Sequence, residues 1–233
     1  FYPTPVEVVD LIAGFIRRPI LSEGIRLLDP CAGEGEALRV LASRLGVKET
    51  YGVELDQTRA KQAAANLKQV IPGSFESMKS VWRGFSLLYL NPPYDYDEEA
   101  KRLEYKFLVK LTPYLQTRGL LVYLIVQKHL NKETARYLAS HFEDIEVRRF
   151  PDPHFERFHQ IVIFGVRREV AFRTPESERS LERIPRLSPD EIPMLRKPDY
   201  PLYELVSGSP NFAFYSETVH PEVAISEVHL NGL

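Results

Sequence analysis

Leu87-Leu88-Tyr89-Leu90, followed at once by Asn91-Pro92-Pro93-Tyr94, decides how this chain folds. Neither proline has a backbone N–H, each fixes its own φ, and each pushes the residue before it to extended geometry. A strand ladder therefore ends at Asn91. A buried strand that stops in a stiff turn, with an amide and a phenol at its carboxyl end, stands where open α/β sheets hold their ligands. Alone, the same four residues also describe a proline-rich turn with a solvated asparagine, so the surrounding chain has to decide.

Upstream, Val6, Val9, Leu11, Ile12, Phe15 and Ile16 recur at helical spacing after Thr4-Pro5, an N-cap followed by a proline at the first helical position. Residues 25–29 form a short apolar strand ending in Asp29. Pro30-Cys31-Ala32-Gly33-Glu34-Gly35 then leads into a helix through Ala37, Leu38, Val40, Leu41 and Leu45. Glycines between a strand and a helix let the backbone approach a ligand closely and leave unpaired N–H groups at the helix start. Residues 51–55 make a second strand with Glu54 near its end, residues 56–70 a second such helix, and Gly73-Ser74-Phe75-Glu76 closes a weak third strand.

Downstream, the pattern predicts a helix over 98–114, the most apolar strand over 119–127, a helix over 132–142 and strands over 145–150 and 160–168. The last two are separated only by residues 151–159, too short for a crossover helix, so they pair antiparallel as a hairpin. The expected fold class is α/β: a mostly parallel seven-stranded sheet with a reversed edge strand from the C-terminal hairpin, and helices on both faces. Past Arg168 the texture changes. Residues 171–201 are rich in proline, serine and charge and read as a surface arm, while Phe212, Phe214, Tyr215, Val219, Val223, Ile225 and Val228 suffice for a few strands but not for a core. The expected division is a catalytic domain over 1–169 and an arm with a small extension, packed on that domain, over 170–233.

Composition narrows the partners. Lysine and arginine number 30 against 32 aspartates and glutamates, so any nucleic-acid groove is local. Cys31 is the only cysteine, which excludes an internal disulfide and a multi-cysteine metal site and suits a reducing compartment. With no apolar stretch of bilayer length and no charged-then-apolar leader, the expectation is a soluble, cytoplasmic protein without a membrane partner. The start at Phe1, without methionine, is expected of part of a longer protein.

The motifs taken together resemble the class I S-adenosylmethionine-dependent methyltransferases, and within them the amino-methyltransferases that modify N6 of adenine. Four segments across residues 1–168 carry the likeness, in the order used by one group of adenine methyltransferases: Phe1-Tyr2-Pro3-Thr4-Pro5, Asp29-Pro30-Cys31-Ala32-Gly33-Glu34-Gly35, Gly52-Val53-Glu54-Leu55-Asp56 and Asn91-Pro92-Pro93-Tyr94. The resemblance implies a Rossmann-like fold with S-adenosyl-L-methionine as cofactor. Tyr2 and Thr4 would close over its methionine end. Asp29, Cys31, Gly33 and Gly35 would line its amino-acid head and sulfonium, with Cys31 as a small space-filler. Glu54 would accept from both ribose hydroxyls, although a solvated strand-end acid looks the same in sequence. Ser74 and Phe75 stand where the family has an acid and an aromatic around the adenine. Phe75 fits, but Ser74 is the weaker acceptor, so either Glu76 reaches in or stacking carries more of the affinity. A dinucleotide fingerprint would instead want G-x-G-x-x-G, whereas Gly33 and Gly35 are followed by Leu38.

For the chemistry, the resemblance implies that the side-chain oxygen of Asn91, also part of the cofactor site, and the carbonyl of Pro92 accept from an amine and orient its lone pair. Pro93 and Tyr94 would receive the flat base, flipped out of a duplex. The hairpin turn carries Phe155, the first candidate for stacking on the other face, and Phe158, the second, but both are equally readable as plugs of the hairpin core. His154 and His159 have no acids at metal-ligand spacing, and no metal is expected. The first functional reading is a DNA adenine N6-methyltransferase of the kind carried by restriction-modification systems. Methyltransferases of RNA bases or of a protein glutamine share the turn. A non-catalytic nucleic-acid-binding subunit is disfavoured by intact Asp29, Glu54 and Asn91-Pro92-Pro93-Tyr94. Arg148, Arg149, Arg157, Arg167, Arg168, Arg173, Arg179, Arg183 and Arg186 border the hairpin, with acids interspersed. No recognition domain is visible, so the target sequence would be read by a domain or subunit outside this chain.

Overall fold

In a computed structural model, which describes residues 3–94 and 102–217, the chain runs α1 (Val6–Gly14), β1 (Arg26–Asp29), α2 (Glu36–Leu45), β2 (Glu49–Glu54), α3 (Gln57–Asn66), β3 (Gln69–Pro72), β4 (Met78–Ser80), β5 (Phe85–Leu90), α4 (Leu103–Leu111), β6 (Leu115–Val126), α5 (Lys132–His141), β7 (Phe142–Arg149), α6 (His154–Phe158), β8 (Gln160–Arg167), α7 (Pro175–Arg183) and β9 (Phe214–Ser216). Seven strands make one sheet in the order β3-β2-β1-β5-β6-β8-β7. The pairs β3–β2, β2–β1, β1–β5 and β5–β6 are parallel, and β8 runs against both β6 and β7. Every residue of β1 and β5 is buried, as expected of short apolar runs in a sheet covered on both faces.

The reversed strand is not at the edge, as the sequence reading expected. It lies between β6 and β7. Burial gives the reason: β8 is buried at every position but its last, whereas β7, Phe-Glu-Asp-Ile-Glu-Val-Arg-Arg, is fully buried only at its two ends. The more apolar strand takes the inner place. The outer edge of β7 is then capped by the arm, where Arg149 N donates to Pro193 O at 2.9 Å and Leu195 N to Arg149 O at 2.7 Å, so those ladder groups are not left open.

That arm departs from the expected featureless linker. It contains α7, whose Leu181 is buried and whose Glu178 accepts from Arg136 of α5 at 3.1 Å. It then crosses α1, with Tyr203 N donating to Phe15 O at 3.0 Å and the Tyr203 ring stacked 5.5 Å from Phe164. Finally β9 pairs antiparallel with β4, and Phe212 and Phe214 close on Tyr51 and Phe85. Leu195, Tyr203 and Phe214 thus belong to the same buried cluster as the sheet. Val219, Val223, Ile225 and Val228 lie outside the described residues, as do Phe1, Tyr2 and the first part of the helix expected over 98–114.

Candidate active site

Asp29, Glu54 and Asn91 end, or directly follow, three neighbouring parallel strands, β1, β2 and β5, so they stand side by side along one edge of the sheet. Strands lie ~4.8 Å apart, which puts the three polar groups within a span of ~10 Å. Asp29 is 2% exposed, and its carboxylate accepts from Cys31 N at 2.9 Å. Burial pushes its pKa up to about 7, opposed by the Cys31 N–H and reinforced by the charge of Glu54. The Cys31 thiol is driven well above its usual range by burial and by the same two carboxylates, so it stays protonated and serves as packing.

Between β1 and α2 the chain turns through Gly33 (φ 56°) and Gly35 (φ 78°). Gly33 N donates to Glu54 Oε2 at 2.9 Å, tying the loop to the end of β2. Gly35 has a different reason to be glycine: a Cβ there would meet Leu67 at 3.1 Å and Ala63 at 3.2–3.3 Å. Gly35, whose left-handed φ already favours glycine, therefore also lets the loop pack on α3 and on Leu67 just beyond it.

The Asn91 turn is held by a chain of hydrogen bonds with one direction. Gln160 Nε2, at the start of β8, donates to Tyr94 Oη. Tyr94 Oη donates to Asn91 Oδ1 at 3.1 Å, and Asn91 Nδ2 donates to Thr4 Oγ1 at 3.2 Å. Thr4 Oγ1 also receives the buried Tyr89 hydroxyl at 2.7 Å. Burial holds the Tyr94 phenol well above its usual range, so it keeps the proton that it gives to Asn91. Pro92 is buried and Pro93 exposed. Thr4 is therefore not the cap of α1; Pro5 occupies that position, with no side-chain cap bond, and the Thr4 hydroxyl is drawn into the site because two buried donors need it.

Around the second half of the site the fit is partial. Ser74 spends its hydroxyl as the cap of a short 3-10 turn, accepting from Glu76 N at 3.2 Å. Glu76 does not reach in: its carboxylate is held by Lys110 at 2.8 Å and Lys106 at 3.3 Å. Phe75 is half-buried and stacks on Phe107 with centroids 3.7 Å apart, which leaves stacking as the adenine contact this segment can offer.

In the hairpin turn Phe155, the first stacking candidate, takes the alternative role of core plug. Phe155 is 2% exposed, with the Arg149 guanidinium 5.2 Å from its ring centroid and His159 edge-on at 5.4 Å. It fills the hairpin core and presents no free face, because α6 turns it inward. Phe158 is half-buried, with Arg157 at 5.0 Å from its centroid. His154 Nε2 donates to Glu7 Oε1 of α1 at 2.8 Å, a polar loop contact that ties the turn to the first helix.

Three features escaped the sequence reading. Gln160 was visible as the one polar residue before an apolar run, Arg59 as a base on the first turn of α3. A buried group beside Tyr94 had no signal: Glu104, 2% exposed, accepts from Arg102 at 2.9 Å and sits 2.7 Å from His129 Nδ1, and the His129 ring meets Tyr94 edge-on at 5.9 Å. Burial and Arg102 lower the His129 pKa, so the imidazole there is neutral.

A model described as an uncharacterised methyltransferase family (DUF6094) matches residues 1–206. Solved structures of similar fold include a methyltransferase from Pyrococcus furiosus, with TM-score 0.54 and 16% identity over 71% of this chain and 84% of that one. A second is the complex between the Haloferax volcanii Trm112 methyltransferase activator and a putative methyltransferase, with TM-score 0.53 and 15% identity over 71% of this chain and 90% of that one. A third is the tRNA (m1A58) methyltransferase from Aquifex aeolicus, with TM-score 0.51 and 14% identity over 72% of this chain and 71% of that one. At such identities the likeness is one of fold. No curated protein matches the chain.

Proposed function

The chain belongs to the DUF6094 methyltransferase family, and from that premise we propose that it methylates the N6 amine of adenine in DNA. S-adenosylmethionine is the methyl donor; when bound it supplies an electrophilic methyl group on a sulfonium cation. The residues present suit a cation. Residues 29–35 contain no lysine or arginine, and the carboxyl of Asp29, held near neutrality by burial, gains a reason to ionise when positive charge arrives beside it. Phe75 offers a face to the adenine and Glu54 an acceptor to the ribose.

The observation that carries the amine reading is the fixed amide of Asn91. Because Nδ2 donates to Thr4 and Oδ1 accepts from Tyr94, the amide cannot flip, and Oδ1 rather than Nδ2 is the atom that would meet an incoming N–H. The Pro92 carbonyl is the second acceptor. An adenine amine is a poor nucleophile because its lone pair is delocalised into the ring; two acceptors on its hydrogens favour the pyramidal form. When the sulfonium S–CH3 bond breaks and the N–CH3 bond forms, leaving S-adenosylhomocysteine, Asn91 Oδ1 would stabilise the positive charge on nitrogen, and the surplus proton would pass to water without a strong base. Pro93 and Tyr94 hold the plane of the base, Phe158, the more exposed of the two hairpin phenylalanines, stacks on its other face, and the base is flipped to reach them.

DNA is favoured by the order of the motifs along the chain; the arginines near the hairpin add little, since Arg148, Arg149, Arg168 and Arg173 are each paired with a carboxylate. The protein acts in the cytoplasm, and sequence recognition is assigned to a domain or subunit outside this chain. Tritiated methyl transfer to unmethylated DNA, ribosomal RNA and total protein in parallel tests the substrate: label in DNA alone is expected, and label confined to RNA or protein would move the same chemistry to that substrate.

A further inference from the structure

Glu54 Oε1 has no acceptor position to spare. The residue is 6% exposed, and a carboxylate offers about four lone-pair sites. Gly33 N takes one at 2.9 Å and Asp56 N another at 3.0 Å. Arg59 Nε and Nη2 approach Oε1 at 3.1 and 2.7 Å. A ribose diol brings two O–H donors and needs two of these sites. The backbone donors belong to the glycine loop and to the start of α3, where Asp56 also caps the helix by accepting from Arg59 N at 2.9 Å. They are fixed by the fold. The guanidinium is on a flexible stem, and the Arg59 side chain is 33% exposed. A cation on the first turn of a helix is also disfavoured by the helix dipole, a cost that its contacts with Glu54 and Asp56 offset.

We infer that Arg59 competes with the ribose of S-adenosylmethionine for Glu54, so that binding exchanges a guanidinium for a diol and Arg59 sets cofactor affinity. This rests on Glu54 being the ribose acceptor. The exchange moves no covalent bond: the Arg59 side chain swings to solvent, its charge now balanced by water and by Asp56, whose carboxylate already lies 3.7 Å from Nη1.

Calorimetric titration with S-adenosylhomocysteine tests it in two arms. Glu54→Gln tests the ribose contact, and an affinity unchanged from wild type would remove the premise. Arg59→Ala tests the competition: removing a partly exposed ion pair should tighten binding about fivefold. The same variant, without ligand, should melt slightly below wild type because the pair also steadies the end of β2. Opposite signs for affinity and ligand-free stability are what competition predicts and a merely structural role does not. Arg59→Lys, a single point charge in place of a fork, should fall between. Unchanged or weaker binding in Arg59→Ala, with Glu54→Gln impaired, would overturn the inference while leaving the ribose contact standing.

Discussion

The side-chain amide of Asn91 donates to the hydroxyl of Thr4 at 3.2 Å, across 87 residues of sequence, and this contact decides which way the amide points. It joins the segment before α1 to the end of β5. Thr4→Val removes the acceptor and leaves the Tyr89 hydroxyl, in a side chain 1% exposed, without a partner. A buried unsatisfied hydroxyl costs ~1–3 kcal/mol, so the melting temperature should fall, and methyl transfer should drop by ~10-fold as the Asn91 amide loses its fixed orientation. Thr4→Ser should keep both. Thermal melts and single-turnover methyl transfer on the three proteins check this.

The role of Thr4 marks where the sequence was legible and where it was not. Leu87–Leu90 ahead of two prolines fixed the central strand and its polar end, because strand burial and proline geometry are local facts. Which of two hairpin strands lies inside depended on comparing β8 with β7 against the whole sheet, and α7 was hidden because its one buried apolar residue, Leu181, gives no visible period. Gln160 and Arg59 were not singled out as site residues for one reason: each gets its meaning from a partner brought to it by the fold. For Thr4 the local reading, a helix cap, was chemically sound and lost to two buried donors.

Phe155→Ala should chiefly lower stability. Removing a buried phenylalanine costs ~3–5 kcal/mol, and Phe155 fills the hairpin core. Cofactor affinity and base engagement in the molecules that remain folded should hold. Phe158→Ala should show the reverse, weakening substrate engagement by about tenfold to a hundredfold, the effect of one lost base stack. 2-Aminopurine at the target position brightens when unstacked, so its fluorescence on a verified substrate, read beside a denaturant titration, separates the two. An unaltered signal in Phe158→Ala would take the stacking role away from the hairpin.

Asp29 links cofactor binding to pH. Its pKa is raised from 3.8 to about 7, so the folded chain without ligand holds a proton that the unfolded chain gives up between those values. The sign follows: ligand-free stability falls as pH rises from about 4 through 7. A cationic cofactor needs the carboxylate, so its affinity should rise over the same direction, by about tenfold per unit below pH 7. Calorimetry at pH 6 in two buffers of different ionisation enthalpy should find about one proton released per cofactor bound. Asp29→Asn should abolish the release and flatten the pH dependence; a release that persists in the variant would assign the proton to another group.

The proposed function requires that Asn91 present an acceptor to an adenine amine during methyl transfer. Incubating unmethylated DNA with S-adenosylmethionine carrying a deuterated methyl group, digesting to nucleosides and weighing them tests that claim at the level of the atom. Wild-type protein should yield N6-methyldeoxyadenosine with the mass of the deuterated methyl. Asn91→Ala should yield at least ~100-fold less, the loss seen when a donor to developing charge is removed, with cofactor affinity nearly unchanged. Deuterium on another base or another ring position, or an Asn91→Ala variant that turns over as fast as wild type, would contradict it.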